Sequence, residues 1–170
     1  MIEKAIAPAE GFEYYQNTIY WNNFDAIQNR TNFLISGDNS IDWIGHVLRK
    51  YGSFDKAFML SCGNGWVERQ LFRNRTIKSV IGTDINAELL RQARAAASEI
   101  NMPAVYAEAD VNTCNFKDFS ADLVVNFAAM HHVAAINRTT QAMSELLTPG
   151  GTYIGFDYVG AHRNQYDSVT

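Results

Sequence analysis

The sequence has no surplus of positive charge: 14 Lys and Arg stand against 18 Asp and Glu, a formal charge of −4 over 170 residues. A polyanion is an unfavourable partner for such a chain, so nucleic acid is not expected. Nor is there an apolar run long enough to cross a membrane. The longest, Ala121 to Met130, is interrupted by Asn126 and falls well short of the roughly 20 residues a spanning helix needs. Cysteine is scarce, and Cys62 and Cys114 have neither CxxC spacing nor neighbouring histidines for a zinc set. Both are read as reduced thiols, and no metal is expected. Met1 to Pro8 shows no basic start leading into an apolar stretch and no cleavage pattern, so the expected location is cytoplasmic and the sequons at Asn29, Asn74 and Asn137 carry no glycan. With 47% hydrophobic and 19% charged residues and only 3 prolines, what remains is an ordinary globular composition.

The texture changes near Gly52. Residues 1–52 form an aromatic, irregular leader holding Tyr14, Tyr15, Trp21, Phe24 and Phe33, followed by a helix over Ser40 to Tyr51 whose Ile41, Ile44 and Leu48 recur at helical spacing. This N-terminal leader of residues 1–52 is expected to be helical and aromatic, its helices packing on the core or acting as a lid. Residues 53–170 form the core, in which strand, turn and helix alternate. Strands are predicted at Ala57–Leu60, Ser79–Thr83, Pro103–Ala107, Asp122–Phe127 and Gly151–Val159, with helices at Gly65–Arg73, Asn86–Ile100 and Ala134–Leu147. Alternation at this spacing calls for right-handed crossovers and a parallel sheet covered on both faces. The fold class is α/β, Rossmann-like.

Ligands of such sheets bind beyond the carboxyl ends of the strands. Ser61-Cys62-Gly63-Asn64-Gly65 is the first turn at that end, where glycine lets backbone approach a ligand closely. Asp84 ends the second strand 21 residues after Gly63, the spacing at which a carboxylate accepts ribose hydroxyls. The dinucleotide fingerprint needs a small residue where Glu68 stands, and a carboxylate beside a diphosphate is unfavourable. An adenosine ligand without phosphate fits better.

Phe58-Met-Leu-Ser-Cys-Gly-Asn-Gly65, Val80-Ile-Gly-Thr-Asp84, Ala107-Glu-Ala-Asp110-Val111, Ala121-Asp-Leu-Val-Val-Asn126 through His131-His132, and Glu145-Leu-Leu-Thr-Pro-Gly-Gly-Thr152 follow one another in order. Together they resemble the motifs of class I S-adenosylmethionine-dependent methyltransferases. The resemblance implies S-adenosylmethionine as cofactor, with Gly63 and Gly65 facing its methionine portion and Ser61, Cys62 and Asn64 completing the turn. It implies Asp84 and Ile85 at the ribose, Asp110 and Val111 at the adenine, and Asn126 and Phe127 facing the ligand. The chain departs from the family pattern at Met59, where an acid usually stands, and at Ser61, where glycine does.

His131 and His132 follow the fourth strand, at the mouth where an acceptor meets the methyl group, and either could take a proton from a hydroxyl. Their side chains are expected to diverge, which argues against a metal. The Asn/Asp-Pro-Pro-aromatic clamp of exocyclic amine methylases is absent from Asn126-Phe-Ala-Ala129. The expected activity is methyl transfer to an oxygen of a small molecule, a carbohydrate or other hydroxylated metabolite. A non-catalytic binding module and a nicotinamide-dependent oxidoreductase are the alternatives. Only five strands are legible, so the chain is read as lacking the last two strands of the family's sheet. The fifth strand is then expected to offer an open edge for a homodimer.

Overall fold

The computed structural model describes residues 24–157, and the chain divides after Gly52 into two compact units. In the first, α1 (Asp25–Ser36) and α2 (Trp43–Tyr51) are joined by a short polar turn. The described part of the leader is thus helical, as expected, with a first helix whose bounds the sequence did not give. Helix α1 buries no residue, so it carries no apolar stripe to read, and it stops where the Gly37 N–H donates to Phe33 O at 2.9 Å. Helix α2 starts at Trp43 rather than Ser40. Ser40 is held in the turn by Asp38 Oδ1, which leaves Asp42 as the cap, accepting from the Gly45 N–H at 2.8 Å. Tyr14, Tyr15 and Trp21 lie outside the described residues.

The second unit alternates β1 (Phe54–Leu60), α3 (Trp66–Arg73), β2 (Ile77–Asp84), α4 (Ala87–Glu99), β3 (Ala104–Glu108), β4 (Ala121–Phe127), α5 (Ile136–Leu146) and β5 (Leu147–Phe156). All five strands pair in parallel, in the order β3-β2-β1-β4-β5. The order reverses between β1 and β4, and a crevice opens at such a switch point. Phe58 and Leu60 point to one face, into a cluster with Phe116, Val124, and Met143 and Leu146 of α5. Phe116 meets Phe58 edge-on, with ring centroids 5.0 Å apart. Met59, Gly82 and Tyr106 stand in register across β1, β2 and β3. The two-residue period therefore sends them to the opposite face.

Strand β5 begins four residues before the expected Gly151. Ala121 pairs with Leu147, the chain then bulges through Gly150 at φ +81°, and regular pairing resumes at Leu123 with Thr152. Among the described residues the strand ends at Phe156; Val159 and the tail beyond it are not among them.

Candidate cofactor and catalytic site

Two loops line the switch point. The first is Ser61–Gly65, where Ser61, Gly63 and Gly65 adopt φ of +49°, +57° and +76°. Ser61, in glycine's place, takes the left-handed conformation all the same, a strain tolerated where the surroundings fix the backbone. They do fix it: the Cys62 N–H donates to Thr83 O at 2.8 Å, the Gly63 N–H to Asp84 Oδ2 at 2.8 Å, and the Gly65 N–H to Cys62 O at 3.0 Å. Arg69 reaches back from α3 to Asn64 O at 2.5 Å.

The two glycines serve different sides. A Cβ on Gly63 would meet nothing within 4 Å, whereas one on Gly65 would lie 2.8 Å from Glu68 Oε1 and 3.0 Å from Tyr106 Oη. Gly63 faces open space and Gly65 faces inward. Glu68 is correspondingly fully buried under the turn rather than beside a ligand. It opposes a dinucleotide by filling the space beneath the helix start, not by repelling a phosphate. Cys62 is buried as well, and burial first, then the nearby Glu68 and Asp84, push its thiol well above the ordinary range. A protonated, inert thiol follows.

Asp84 is buried, with 8% exposure. Its Oδ2 accepts from Gly63 and its Oδ1 from the Asn86 N–H at 2.9 Å. Each oxygen spends one lone pair on backbone and keeps another, so a ribose diol can still be accepted. Ile85 beside it is exposed. Asp110 Oδ1 accepts from Asn112 N at 2.9 Å and Nδ2 at 3.1 Å, while Val111 O takes the Thr139 hydroxyl at 3.0 Å. Asn112 in turn caps the approach to α5, its Oδ1 accepting from the Ala134 and Ala135 N–H groups. Arg138 clamps the same loop by its guanidinium on the carbonyls of Asn112, Thr113 and Cys114.

The second loop follows β4 and is organised by a residue the sequence reading passed over. Among the described residues Asp157, just beyond β5, gathers four donors. Its Oδ2 accepts from Asn126 Nδ2 at 2.9 Å, Ala129 N at 3.1 Å and Met130 N at 2.6 Å, and its Oδ1 lies 2.7 Å from His131 Nδ1. An ionised carboxylate suits four donors. In the tautomer with its proton on Nδ1, His131 donates to Asp157 and leaves the Nε2 lone pair available to an incoming proton. An acid at the end of a strand was the available signal, the same one that singles out Asp84. Asn126 is 1% exposed, so it holds Asp157 instead of facing a ligand. Ala128, between them, sits at φ +52° with its N–H on Phe156 O at 2.7 Å.

The two histidines do not diverge as expected. They sit in a 3-10 turn (Met130–His132) that brings their ring centroids to 3.9 Å. Burial, then the neighbouring His131, lowers the pKa of His132. Among the described residues no group of three or more His, Cys, Asp and Glu could hold a metal. Phe127 stacks on Phe156, centroids 4.9 Å apart, and takes the edge of Trp66 at 5.1 Å. Trp66 thus joins the two loops by packing.

The sequence matches the methyltransferase domain family over residues 58–155, more than half of the chain. The chain belongs to this family. It is 31% identical over 108 residues to the human mitochondrial protein named arginine-hydroxylase NDUFAF5, covering 64% of this chain and 30% of that one. It is 33% identical over 93 residues to an uncharacterized methyltransferase of Mycobacterium tuberculosis, covering 55% and 45%. The chain therefore spans less than half the length of these curated relatives. A solved S-adenosylmethionine-dependent methyltransferase from Mesorhizobium loti superposes with a TM-score of 0.55 at 27% identity, covering 65% of this chain and 51% of that one. A Geobacter sulfurreducens methyltransferase solved with S-adenosyl-L-homocysteine gives a TM-score of 0.52 at 19% identity, covering 61% and 41%. Among the described residues no helix is long and apolar enough to cross a membrane.

Proposed function

We propose that this domain binds S-adenosylmethionine and transfers its methyl group to an oxygen of a small hydroxylated acceptor. The open side of Gly63 and the spare lone pairs of Asp84 are what fit an adenosine ligand, with Asp110 and Val111 lining the far end. Bound there, the cofactor supplies an electrophilic methyl whose leaving thioether departs neutral. No covalent attachment to the protein is needed, and the chain's own contribution is alignment and proton removal.

The observation that carries the reading is the His131–Asp157 pair at the mouth of the crevice. Asp157 fixes the imidazole, and Nε2 takes the acceptor's hydroxyl proton as the oxygen attacks. An oxygen acceptor gains from such a base, whereas a sulfur one does not need it. Acidic net charge supports a small molecule over nucleic acid, and two unpaired thiols support a reducing, cytoplasmic setting. Among the described residues β5 hydrogen-bonds only to β4, and its other edge is our candidate for pairing with a second copy.

The test is S-adenosylhomocysteine formation from S-adenosylmethionine across a panel of carbohydrates and phenols. Release that depends on one hydroxylated acceptor, and is lost in His131→Ala, supports the reading. Tight cofactor binding with no release on any acceptor would leave a non-catalytic module.

A further inference from the structure

Beneath the cofactor turn lies a group with no part in the chemistry above. Glu68 is fully buried, and neither of its oxygens nor Tyr106 Oη makes a hydrogen bond of ordinary geometry among the described residues. Yet these atoms are crowded against the turn. Glu68 Oε1, Tyr106 Oη and Ala93 Cβ would lie 2.8, 3.0 and 3.1 Å from a Cβ at Gly65. The Tyr106 ring lies across Gly82, where a Cβ would meet it at 2.7 Å and the Cys62 Sγ at 2.9 Å. Two of the five turn residues, Cys62 and Gly65, therefore rest on this niche.

We propose that Glu68 is a positioning residue for the cofactor turn: neutral, it seats against Gly65 and holds Ser61–Gly65 in the binding shape, and ionised, it releases that shape. The inference rests on the assignment of this turn to the cofactor.

The surroundings favour the neutral form. The groups facing Glu68 are Tyr106 from β3, Cys62 from the turn, Asp84 from the end of β2 and Arg69 from its own helix, with Arg94 of α4 acting on Cys62 beside it. Arg69 is committed to Asn64 O and Arg94 to Tyr106 O, and among the described residues neither forms an ion pair with Glu68. Burial therefore dominates and pushes the carboxyl up to about 7, with the Asp84 charge adding to the rise and Tyr106 and Arg69 opposing it. An ionised Glu68 would need water or displacement, and its Oε1 lies against Gly65, 2.8 Å from where a Cβ there would stand. Close packing leaves no way to move one without the other.

The experiment is calorimetric titration of the whole chain with S-adenosylhomocysteine from pH 6 to 8.5. Wild-type affinity is expected to fall about tenfold across that range. Glu68→Gln, which cannot ionise, should keep the pH 6 affinity throughout. Tyr106→Phe removes a partner of the ionised form, so its midpoint should move to higher pH, a shift that a merely structural role would not produce. A flat wild-type profile with intact binding overturns the inference while sparing the cofactor assignment, as does a Glu68→Gln variant that keeps the wild-type fall. No binding by wild type at any pH overturns both.

Discussion

Asp157 Oδ1 stands 2.7 Å from His131 Nδ1, while the other oxygen of the same carboxylate is held by Asn126, Ala129 and Met130. One side chain thus ties the ends of β4 and β5 to the turn that carries the proposed base. Among the described residues His132 has no such partner, although its ring lies beside that of His131. His131→Ala is expected to lower kcat about 100-fold with little change in KM for S-adenosylmethionine, since a positioned base contributes about 10²–10⁴. Asp157→Asn should cost as much by favouring the wrong tautomer, and the double variant should be little worse than either single one. His132→Ala should stay within a few-fold. Steady-state kinetics on one acceptor, once the panel has supplied it, decides the matter, and equal small effects in all variants would make the pair structural.

Asp84 has two duties, which changes what its removal does. Because the carboxylate is buried and accepts from Gly63 and Asn86, Asp84→Ala should loosen the fold as well as the site. Asp84→Asn is the cleaner probe. It keeps one acceptor oxygen and loses the charge, so S-adenosylhomocysteine affinity should drop about 10–100-fold while Tm changes by only a few degrees, charge-assisted hydrogen bonds contributing about 1.5–3 kcal/mol each. Unchanged affinity in a folded variant would remove Asp84 from the ribose site.

Where sequence reading succeeded, a local rule and the tertiary structure agreed. Short apolar runs between turns and helices placed all five strands, and the spacing from Gly63 to Asp84 brought two residues together that touch at 2.8 Å. Where it fell short, the missing information was orientation. Nothing in Gly63-Asn-Gly65-Trp-Val-Glu68 says that Glu68 turns inward under Gly65, because that depends on Tyr106 from a strand some 40 residues on lying across Gly82. Asp157 was hidden for the same reason. Its partners are backbone groups of a turn that the chain makes after β4. A helical leader was expected, but the bounds of α1 were not legible because it buries nothing, and periodicity shows only where a face is buried.

The proposed homodimer through the outer edge of β5 predicts concentration-dependent association. Tyr153 is half-exposed on that strand, and a backbone edge without a partner among the described residues is a template for a second copy. Sedimentation velocity should show dimer growing with concentration, and Tyr153→Lys should shift it toward monomer by placing charge beside the edge. A monomer at every concentration would reject this contact.

Stability should depend on pH through Glu68. Its carboxyl is raised from 4.5 to about 7 in the folded chain, so the contribution is fully present below pH 4.5, where folded and unfolded forms are both protonated. As pH climbs from 4.5 toward 7 the unfolded chain ionises first, and stability is lost until the folded carboxyl ionises too. The total loss is about 3 kcal/mol at 1.36 kcal/mol per pH unit. Glu68→Gln removes this dependence. In urea denaturation it should match wild type only below pH 4.5 and exceed it at pH 8.5; a variant no more stable than wild type at pH 8.5 would show that the buried carboxyl does not carry the cost.

The two turn glycines should respond unequally to alanine. Both have positive φ, which costs a side chain roughly 1–2 kcal/mol, but only Gly65 is also pressed from below. A methyl there would meet Glu68 Oε1 at 2.8 Å and Tyr106 Oη at 3.0 Å, whereas at Gly63 it would enter open space. Overpacking a filled niche adds about 1–3 kcal/mol. Gly65→Ala should therefore destabilise the fold by about 2–5 kcal/mol and Gly63→Ala by no more than about 2. Affinity should rank the other way among folded proteins, since the Gly63 methyl occupies the side on which the cofactor approaches. Urea midpoints and S-adenosylhomocysteine titrations on the same two variants test both halves. If Gly63→Ala binds normally, the open side of the turn is not where the ligand lies.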